Sequence, residues 1–318
     1  MSEREFLISP GPHLRGKLSV SKIMYYVVLA LLLPTGAAVY FFGYHALWVI
    51  AVSVAAAVLT EYGVKKLRKR AFVMDGSAVV TGLLLALILP PTIPLWMVAV
   101  GSVFSIAIVK EAFGGLGHNI FNPALGGRAF MAACFSVKMT TWVSPTGFGA
   151  DAVTTATPLS SSFVWEGDKL SLYRDLFLGN TGGSIGETSA LLILVGGILL
   201  LVLGIISWRI PVTYIGTVAL LTLALGQDAI FHILAGGLML GAFFMATDYV
   251  TSPITARGKI IFGVGAGILT VVIRRFGGLP EGVAYSILFM NAITPLIDRY
   301  VKVRPYGLVK KVKGEGER

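Results

Sequence analysis

The residues best suited to carry chemistry lie in one polar segment of an otherwise apolar chain. Residues 138–188 are polar and include Thr154, Thr155 and Thr157, with Pro158 directly after them. Small and hydroxyl-bearing residues stand side by side there, away from any apolar run. Long loops outside a packed scaffold usually carry chemistry or a partner contact. The sequence therefore predicts a functional segment at residues 151–159.

Two further segments combine Gly and Pro with polar side chains inside apolar regions. Residues 114–130 contain Asn119, Asn122 and Arg128, and residues 245–255 contain Asp248 and Ser252. Unpaired backbone is costly in lipid, so such stretches must line a cavity or a ligand. A charge within the membrane usually serves a function. The alternative is a structural ion pair between Arg128 and Asp248, or a position of Asp248 at the membrane interface.

Two adjacent arginines, Arg274 and Arg275, follow the apolar run 260–273. Arginine binds phosphate well because its guanidinium presents a planar fork of donors. The alternative is a helix C-terminus, where the helix dipole favours cations.

The composition indicates which elements position these residues. The 318-residue chain is 55% hydrophobic and only 13% charged, with a mean hydropathy of +0.81. Soluble proteins carry about 25% charged residues. We therefore predict an all-α polytopic membrane protein. Gly63 and Gly82 are predicted close-packing points between helices. The apolar runs number about ten: residues 23–39, 47–60, 79–89, 95–109, 120–137, 189–207, 212–225, 230–246, 260–273 and 283–297.

Charge sets the orientation of these spans. The net charge is +10, and most Lys and Arg residues fall in segments that one consistent topology places in the cytoplasm. This pattern favours contact with membrane lipid and argues against a nucleic-acid partner. We predict a cytoplasmic tail (1–22), a first membrane half (23–137), an extracytoplasmic loop (138–188), a second half (189–300) and a basic cytoplasmic tail (301–318).

Short motifs recur in the two halves. Phe113-Gly114-Gly115-Leu116 returns at residues 276–279, and residues 81–85 resemble residues 236–240. The predicted orientation places the two copies of the first motif on opposite faces of the membrane. Two five-helix halves of opposite topology are typical of transport folds, whose binding sites lie between the halves at broken helices.

At these motifs the chain resembles the membrane flavoprotein subunits RnfD and NqrB over nearly its whole length. The short N-terminal tail favours RnfD. RnfD belongs to the Rnf ferredoxin:NAD oxidoreductase, and NqrB to the sodium-pumping NADH:quinone reductase. The matching segments are residues 154–159, 119–124, 247–253 and 277–298.

The resemblance implies an electron-transfer subunit of a redox-driven ion pump in a bacterial or archaeal cytoplasmic membrane. Thr157 corresponds to the threonine that carries covalent FMN. Thr155 is a second candidate, because this chain has a threonine hydroxyl where other members often have Gly. A separate flavin transferase would read an exposed segment around Thr157. A second, non-covalent flavin such as riboflavin is implied between the helices.

The resemblance also implies partner subunits, because this chain lacks the sequence features of some redox centres. Its single Cys134 cannot hold an iron–sulfur cluster, which needs about four ligands, and it has no dinucleotide fingerprint. Iron–sulfur subunits and a second flavinylated subunit would supply the remaining redox centres. No catalytic residue or metal ligand is predicted in this chain, and no sequence feature distinguishes Na⁺ from H⁺.

A second function stays open on the sequence alone. The predicted inverted halves resemble urea-transporter architecture, so the chain could be a urea-type channel or transporter. Such a pore would need no covalent flavin, and the flavin content of the protein therefore separates the two hypotheses.

Overall fold

The computed structural model describes residues 18–145, 155–160, 163, 165, 167–277 and 282–302. The residues within these ranges form helices and no strand. Two π-helical segments, Ser105–Glu111 and Gly241–Met245, interrupt the α-helical elements. The α-helices are α1 (Val20–Leu67), α2 (Ser77–Leu87), α3 (Leu95–Phe104), α4 (Pro123–Cys134), α5 (Ser136–Met139), α6 (Lys169–Leu178), α7 (Ala190–Val202), α8 (Arg209–Ala224), α9 (Ala229–Leu234), α10 (Leu238–Leu240), α11 (Ala256–Phe276) and α12 (Val283–Tyr300).

The first two predicted apolar runs lie in α1, which is bent at Gly43. This residue has φ 68° and ψ −154°, outside the helical region. Glycine adopts a positive φ without the penalty that a Cβ imposes. The chain therefore changes direction at Gly43, and α1 consists of two helical rods in sequence.

Each of the other predicted runs coincides with one or more helices. The run 230–246 is divided among α9, α10 and a π-helical segment. The polar loop contains one further helix, α6, which the sequence analysis does not predict. It ends at Gly179, whose φ of 112° is typical of a glycine that terminates a helix.

The surface of the helical body is strongly apolar. Helices α1 and α11 are long and apolar enough to cross a membrane, and α2, α7 and α8 are shorter apolar helices. Large side chains such as Leu59 and Leu220 are 67% and 70% exposed. Exposed apolar surface on this scale indicates contact with another apolar phase. The all-helical fold is consistent with a membrane protein.

Close approach of the helices relies on small residues and hydroxyls. A Cβ at Gly82 of α2 would lie 2.7 Å from the Cα of Val54 in α1. Ser53 donates to the Gly82 carbonyl at 2.7 Å, and its hydroxyl lies 3.0 Å from that of Ser102 in α3. The prediction for Gly82 is confirmed. The prediction for Gly63 is wrong, because apart from its chain neighbours and the backbone of its own helix no atom lies within 4 Å of the position its Cβ would take.

Two irregular, non-helical segments interrupt the series of helices. Residues 112–122 connect a π-helical segment to α4, and residues 246–255 connect the other π-helical segment to α11. The predicted break at 114–130 is thus shorter than expected, since α4 is helical from Pro123. Asn122 explains this start: its Oδ1 accepts from the backbone N–H groups of Ala124 and Leu125 at 3.1 and 3.3 Å, and proline is favoured at the first helical position.

The two copies of the Phe-Gly-Gly-Leu motif differ in local conformation. Gly114 has φ 127°, whereas its counterpart Gly277 has φ −86°. The remainder of the second copy, at residues 278–279, lies outside the described residues. The two copies of the motif therefore differ in backbone conformation at their first glycine, although their residues are the same.

Candidate functional site

The threonine segment is held as a turn against the helical body. The Thr155 N–H donates to the Trp142 carbonyl at 3.0 Å, and the Ser160 N–H donates to the Thr157 carbonyl at 2.9 Å. Pro158 occupies the second position of this turn, where its fixed φ is favourable. Thr154, the third predicted threonine of the segment, lies outside the described residues.

Thr157 is buried in the structure. It is 5% exposed, and its Oγ1 is a buried oxygen without a hydrogen-bond partner among the described residues. The Thr155 Oγ1 is also buried without such a partner. The expectation of an exposed attachment residue is therefore wrong for Thr157, because the turn folds this side chain inward.

Thr157 faces a cavity of about 360 Å³ at the junction of the polar loop and the helices. The wall is apolar except for hydroxyls, backbone and one carboxylate. The lining residues are Thr157, Pro158, Leu159, Leu176, Thr181, Gly182, Gly183, Glu187, Thr188, Leu234 and Gly236.

A second, larger cavity of about 750 Å³ lies between the two irregular segments. Asn119 and Asn122 line it from residues 112–122, and Asp248 lines it from residues 246–255. The structure thus brings two predicted site residues of the first segment, Asn119 and Asn122, together with Asp248 of the second, which lies far from them in sequence. Apolar side chains such as Phe243 and Leu200 form much of the remaining wall.

Direct hydrogen bonds hold the polar groups of this cavity in place. The Asn122 Nδ2 donates to the Met245 carbonyl at 3.3 Å, which joins the first irregular segment to the end of the second π-helical segment. Asn119 donates to the Phe121 carbonyl at 3.0 Å. The Thr251 hydroxyl donates to Asp248 Oδ2 at 3.1 Å. The cavity therefore has a small set of oriented polar groups in an apolar shell, as ligand sites usually do.

Comparison with known proteins identifies the family. The chain matches the NQR2, RnfD, RnfE family over residues 7–307. It belongs to this family.

Relatives in this family are similar over their full length, and each is named as the D component of its complex. The relative from the proton-translocating ferredoxin:NAD(+) oxidoreductase complex of Clostridium ljungdahlii is 52% identical, over 95% of this chain and 96% of the relative. The relative from the Na(+)-translocating complex of Acetobacterium woodii is 50% identical over 100% of both chains. The relative from the ion-translocating oxidoreductase complex of Methanosarcina acetivorans is 36% identical, over 95% and 97%.

In this member of the NQR2, RnfD, RnfE family, Arg128 lies beside the Thr157 cavity. Its Nη1 donates to the Ile88 carbonyl and lies 4.0 Å from the Oε1 of Glu187, which lines that cavity. Both side chains are almost fully buried. The alternative of an Arg128–Asp248 pair does not describe these contacts, because Arg128 faces Glu187 whereas Asp248 accepts from Thr251.

The remaining predicted residues have structural contacts. Arg274 donates to the carbonyls of His232 and Ala235 at 2.6 and 3.2 Å, at the C-terminal end of α9. This geometry matches the helix-terminus alternative. Arg275 is exposed. Ser252 is buried, and its N–H donates to the Asp248 carbonyl at 3.1 Å, which closes a turn.

The sequence analysis missed a buried charged cluster at one end of the large cavity. Lys110 and Glu111 close a π-helical segment and are each 1% exposed, and Glu61 of α1 is 2% exposed. Lys110 lines the cavity. Lys110 directly follows the apolar run 95–109, where a topogenic charge would stand, whereas its burial results from packing against α1 and α2. The sequence did contain an indication of this cluster, because Glu61 directly follows the apolar run 47–60 and an acidic residue at such a position usually has a function.

Proposed function

We propose that this chain is the RnfD component of an ion-translocating ferredoxin:NAD⁺ oxidoreductase complex, that it carries FMN on Thr157, and that it transfers electrons within the membrane. Its full-length similarity to the relatives from Clostridium ljungdahlii and Acetobacterium woodii supports the complex. The observation that supports the attachment is the Thr157 hydroxyl, which is buried without a partner at the wall of a cavity. Buried hydroxyls are normally hydrogen-bonded, so an unpaired one is a natural position for a missing covalent group.

Thr157 is favoured over Thr155 by its surroundings. Thr157 lines the cavity of about 360 Å³, together with Gly182 and Gly183. The Thr155 Oγ1 lies where a Cβ on Gly182 would be only 2.6 Å away. A group attached to Thr155 would therefore meet backbone at once, whereas a group on Thr157 would point into the cavity that this residue lines.

Burial of Thr157 sets the order of events. A threonine hydroxyl is not acidic, so a separate flavin transferase has to form the phosphoester bond and must reach this oxygen. The transferase would act before the turn at residues 157–160 settles against the helices, or while it is displaced. Once attached, the flavin would be held at high effective concentration by its tether.

The bound flavin would supply the electron transfer, and the protein supplies position and electrostatics. Pro158, Leu159 and Leu176 form apolar walls that exclude water from the Thr157 cavity. Glu187 places a carboxylate in the same wall, and Arg128 balances its charge from behind.

We place a second, non-covalent flavin such as riboflavin at the larger cavity. Asn119 and Asn122 offer amide groups to the polar edge of a planar ring, and Phe243 and Phe244 offer aromatic surface. The remaining charges, Lys110 and Asp248, lie in the same lining.

The proposal includes a setting in a bacterial or archaeal cytoplasmic membrane, with both termini in the cytoplasm. Two inverted five-helix halves of urea-transporter type would frame the two cavities. Partner subunits, including iron–sulfur subunits and a second flavinylated subunit, would exchange electrons with the chain. Two relatives of nearly equal identity are named for different ions, protons and Na⁺, so similarity favours neither ion.

The test is covalent flavin on the denatured chain. The protein is co-expressed with a flavin transferase, separated on a denaturing gel, inspected under ultraviolet light and analysed by peptide mass. We expect fluorescence and an FMN-phosphoryl mass on the peptide that contains Thr157, both lost in Thr157→Ala and kept in the matched control Thr155→Ala. Fluorescence that survives Thr157→Ala would move the attachment to Thr154 or Thr155. A dark wild-type chain beside a competent transferase would overturn the flavoprotein proposal and leave a urea-type flux assay as the next step.

A further inference from the structure

Two cavities lie on opposite sides of a thin wall formed by the start of α2 and by Lys110. The large cavity of about 750 Å³ is lined by Ser77 and Lys110. A small cavity of about 180 Å³ is lined by Asp75 and Glu61. Polar side chains therefore line the wall on both sides, Ser77 and Lys110 towards the large cavity and Asp75 and Glu61 towards the small one.

Hydrogen bonds pass through this wall in two places. Lys110 Nζ donates to Ser77 Oγ at 2.6 Å, and Ser77 Oγ donates to Asp75 Oδ1 at 2.5 Å. Lys110 Nζ also donates to Glu61 Oε2 at 3.1 Å. An ammonium has three donors, so these two contacts leave one N–H of Lys110 for the large cavity.

The small cavity is open to the surroundings of the protein. Two of its lining residues, Val73 and Met74, are 62% and 56% exposed. Asp75 is partly exposed, whereas Ser77 is buried. The chain of hydrogen bonds thus begins at an accessible carboxylate and ends at a buried ammonium in the wall of the large cavity.

We propose that Asp75, Ser77 and Lys110 form a proton relay from the surrounding solution into the large cavity. The proposal rests on the proposed function in one respect: the proton acceptor is a ligand of the flavin class, which takes up protons together with electrons. Lys110 donates one proton from its ammonium into the cavity and becomes neutral. Asp75 then takes up a proton from solution through the small cavity. Ser77 passes its hydroxyl proton to the neutral Lys110 as it takes that proton from Asp75, which returns to its carboxylate form. Each residue ends in its starting state, and one proton has crossed the wall.

Charged groups around Lys110 return it to the ammonium form. Glu61 contacts Lys110 at one carboxylate oxygen and Lys65 at the other, at 2.5 Å. Glu111, next in sequence, is buried, and its Oε1 has no hydrogen-bond partner among the described residues. Asp248 lies across the large cavity. The charged groups near Lys110 are thus the carboxylates of Glu61, Glu111 and Asp248, that of Asp75 beyond Ser77, and the cations Lys65 and Arg68, the latter donating to the Glu111 carbonyl.

The experiment uses the purified complex containing the full chain. Flavin content is measured first by extraction and chromatography. The complex is then mixed rapidly with a reductant. Flavin reduction is recorded by absorbance, and proton uptake from solution is recorded with a pH-sensitive dye in lightly buffered medium. The variants are Ser77→Ala, Asp75→Asn and Lys110→Met. The matched control is Ser105→Ala, which removes a buried hydroxyl that bonds the Gly101 carbonyl on the same π-helical side of the cavity.

We expect normal flavin content in Ser77→Ala and proton uptake slowed by about 100-fold, within the range that a positioned proton donor contributes. A larger solvent isotope effect should accompany the slower uptake. Asp75→Asn should be slowed as well and recover with formate or acetate, which are small enough for the outer cavity. Lys110→Met should be slowed without such recovery, and Ser105→Ala should match the wild type.

The outcomes separate the relay from the proposed function. Wild-type proton uptake in Ser77→Ala and Asp75→Asn, with normal flavin content, would overturn the relay and leave the flavin proposal standing. A complex with covalent FMN and no extractable flavin would remove the proton acceptor, and with it the relay. A complex with neither flavin would overturn both.

Discussion

The Asn122 side chain joins the first irregular segment, residues 112–122, to Met245, the last residue of the second π-helical segment. The contact is one hydrogen bond from its Nδ2 to the Met245 carbonyl, across 123 positions of sequence. Its other atom, Oδ1, accepts from the first N–H groups of α4. One amide therefore both starts a helix and connects the two walls of the large cavity. An asparagine suits this position because it presents a donor and an acceptor at once.

Two substitutions at Asn122 separate these roles. Asn122→Ser keeps a helix-capping oxygen but is too short for the Met245 carbonyl, whereas Asn122→Ala loses both contacts. We expect Asn122→Ala to be less stable than Asn122→Ser by about 1 kcal/mol, the usual value of an N-cap. Both should retain less non-covalent flavin than the wild type. Thermal unfolding in detergent and flavin extraction measure the two effects. Equal flavin retention in all three proteins would show that the bridge does not shape the cavity.

Because Arg128 contacts Glu187, we expect that removing one of the two charges destabilises the protein as long as the other remains. Arg128→Met would leave the Glu187 carboxylate buried without its cation, and such losses typically cost about 3–5 kcal/mol. The double variant Arg128→Met/Glu187→Gln should regain much of this stability, because no buried charge remains. Unfolding of the wild type, both single variants and the double variant measures the coupling energy. Additive effects would show that the two side chains do not interact.

The sequence predicts local features well where one residue type has one dominant use. The apolar runs are an example, since hydropathy acts over a few residues, whereas the same packing argument is right for Gly82 and wrong for Gly63. Burial of charged side chains depends instead on distant elements. Lys110 follows an apolar run and looks topogenic, yet α1 and α2 enclose it through Glu61 and Ser77.

The inward position of Thr157 has a similar origin. Its polar neighbours in the sequence indicate an exposed loop, but the turn at Pro158 and the contact of Thr155 with Trp142 fold the segment onto the helices. Neither the direction of this turn nor the surface that receives it can be read from one sequence. The sequence thus singles out residues 151–159, but only the fold shows that Thr157 is buried.

Glycine substitutions test the packing of α1 against α2. A Cβ at Gly82 would meet the Val54 backbone at 2.7 Å, which cannot move as a side chain would. Gly82→Ala should therefore destabilise the protein by about 1–3 kcal/mol, as overpacked sites do. Gly63→Ala is the matched control on α1, where open space surrounds the new methyl group. It should be neutral or stabilising by up to about 1 kcal/mol. Thermal unfolding compares the two, and equal effects would contradict the close approach at Gly82.

The polar loop is tied to the helices by a hydrogen bond from the Tyr173 hydroxyl of α6 to Asp228, which precedes α9. This bond raises the pKa of Tyr173. Burial alone would raise the pKa of Asp228, but hydrogen bonds from Tyr173 and from the backbone N–H groups of Phe231 and Ile230 hold it below its ordinary 3.8.

The contribution of Asp228 to stability is thus complete above the unfolded-state pKa and is lost as the pH falls through the lower native pKa. We expect protease cleavage near α6 to increase as the pH falls below about 4, the usual carboxyl range. Tyr173→Phe should raise cleavage already at neutral pH and reduce its further increase in acid, because the main hydrogen bond to Asp228 is absent. The control is Tyr300→Phe, an exposed tyrosine on α12, which should behave like the wild type. An acid-stable protease with mass analysis of the fragments provides the measurement, and identical pH profiles for Tyr173→Phe and wild type would show that this bond does not hold the loop.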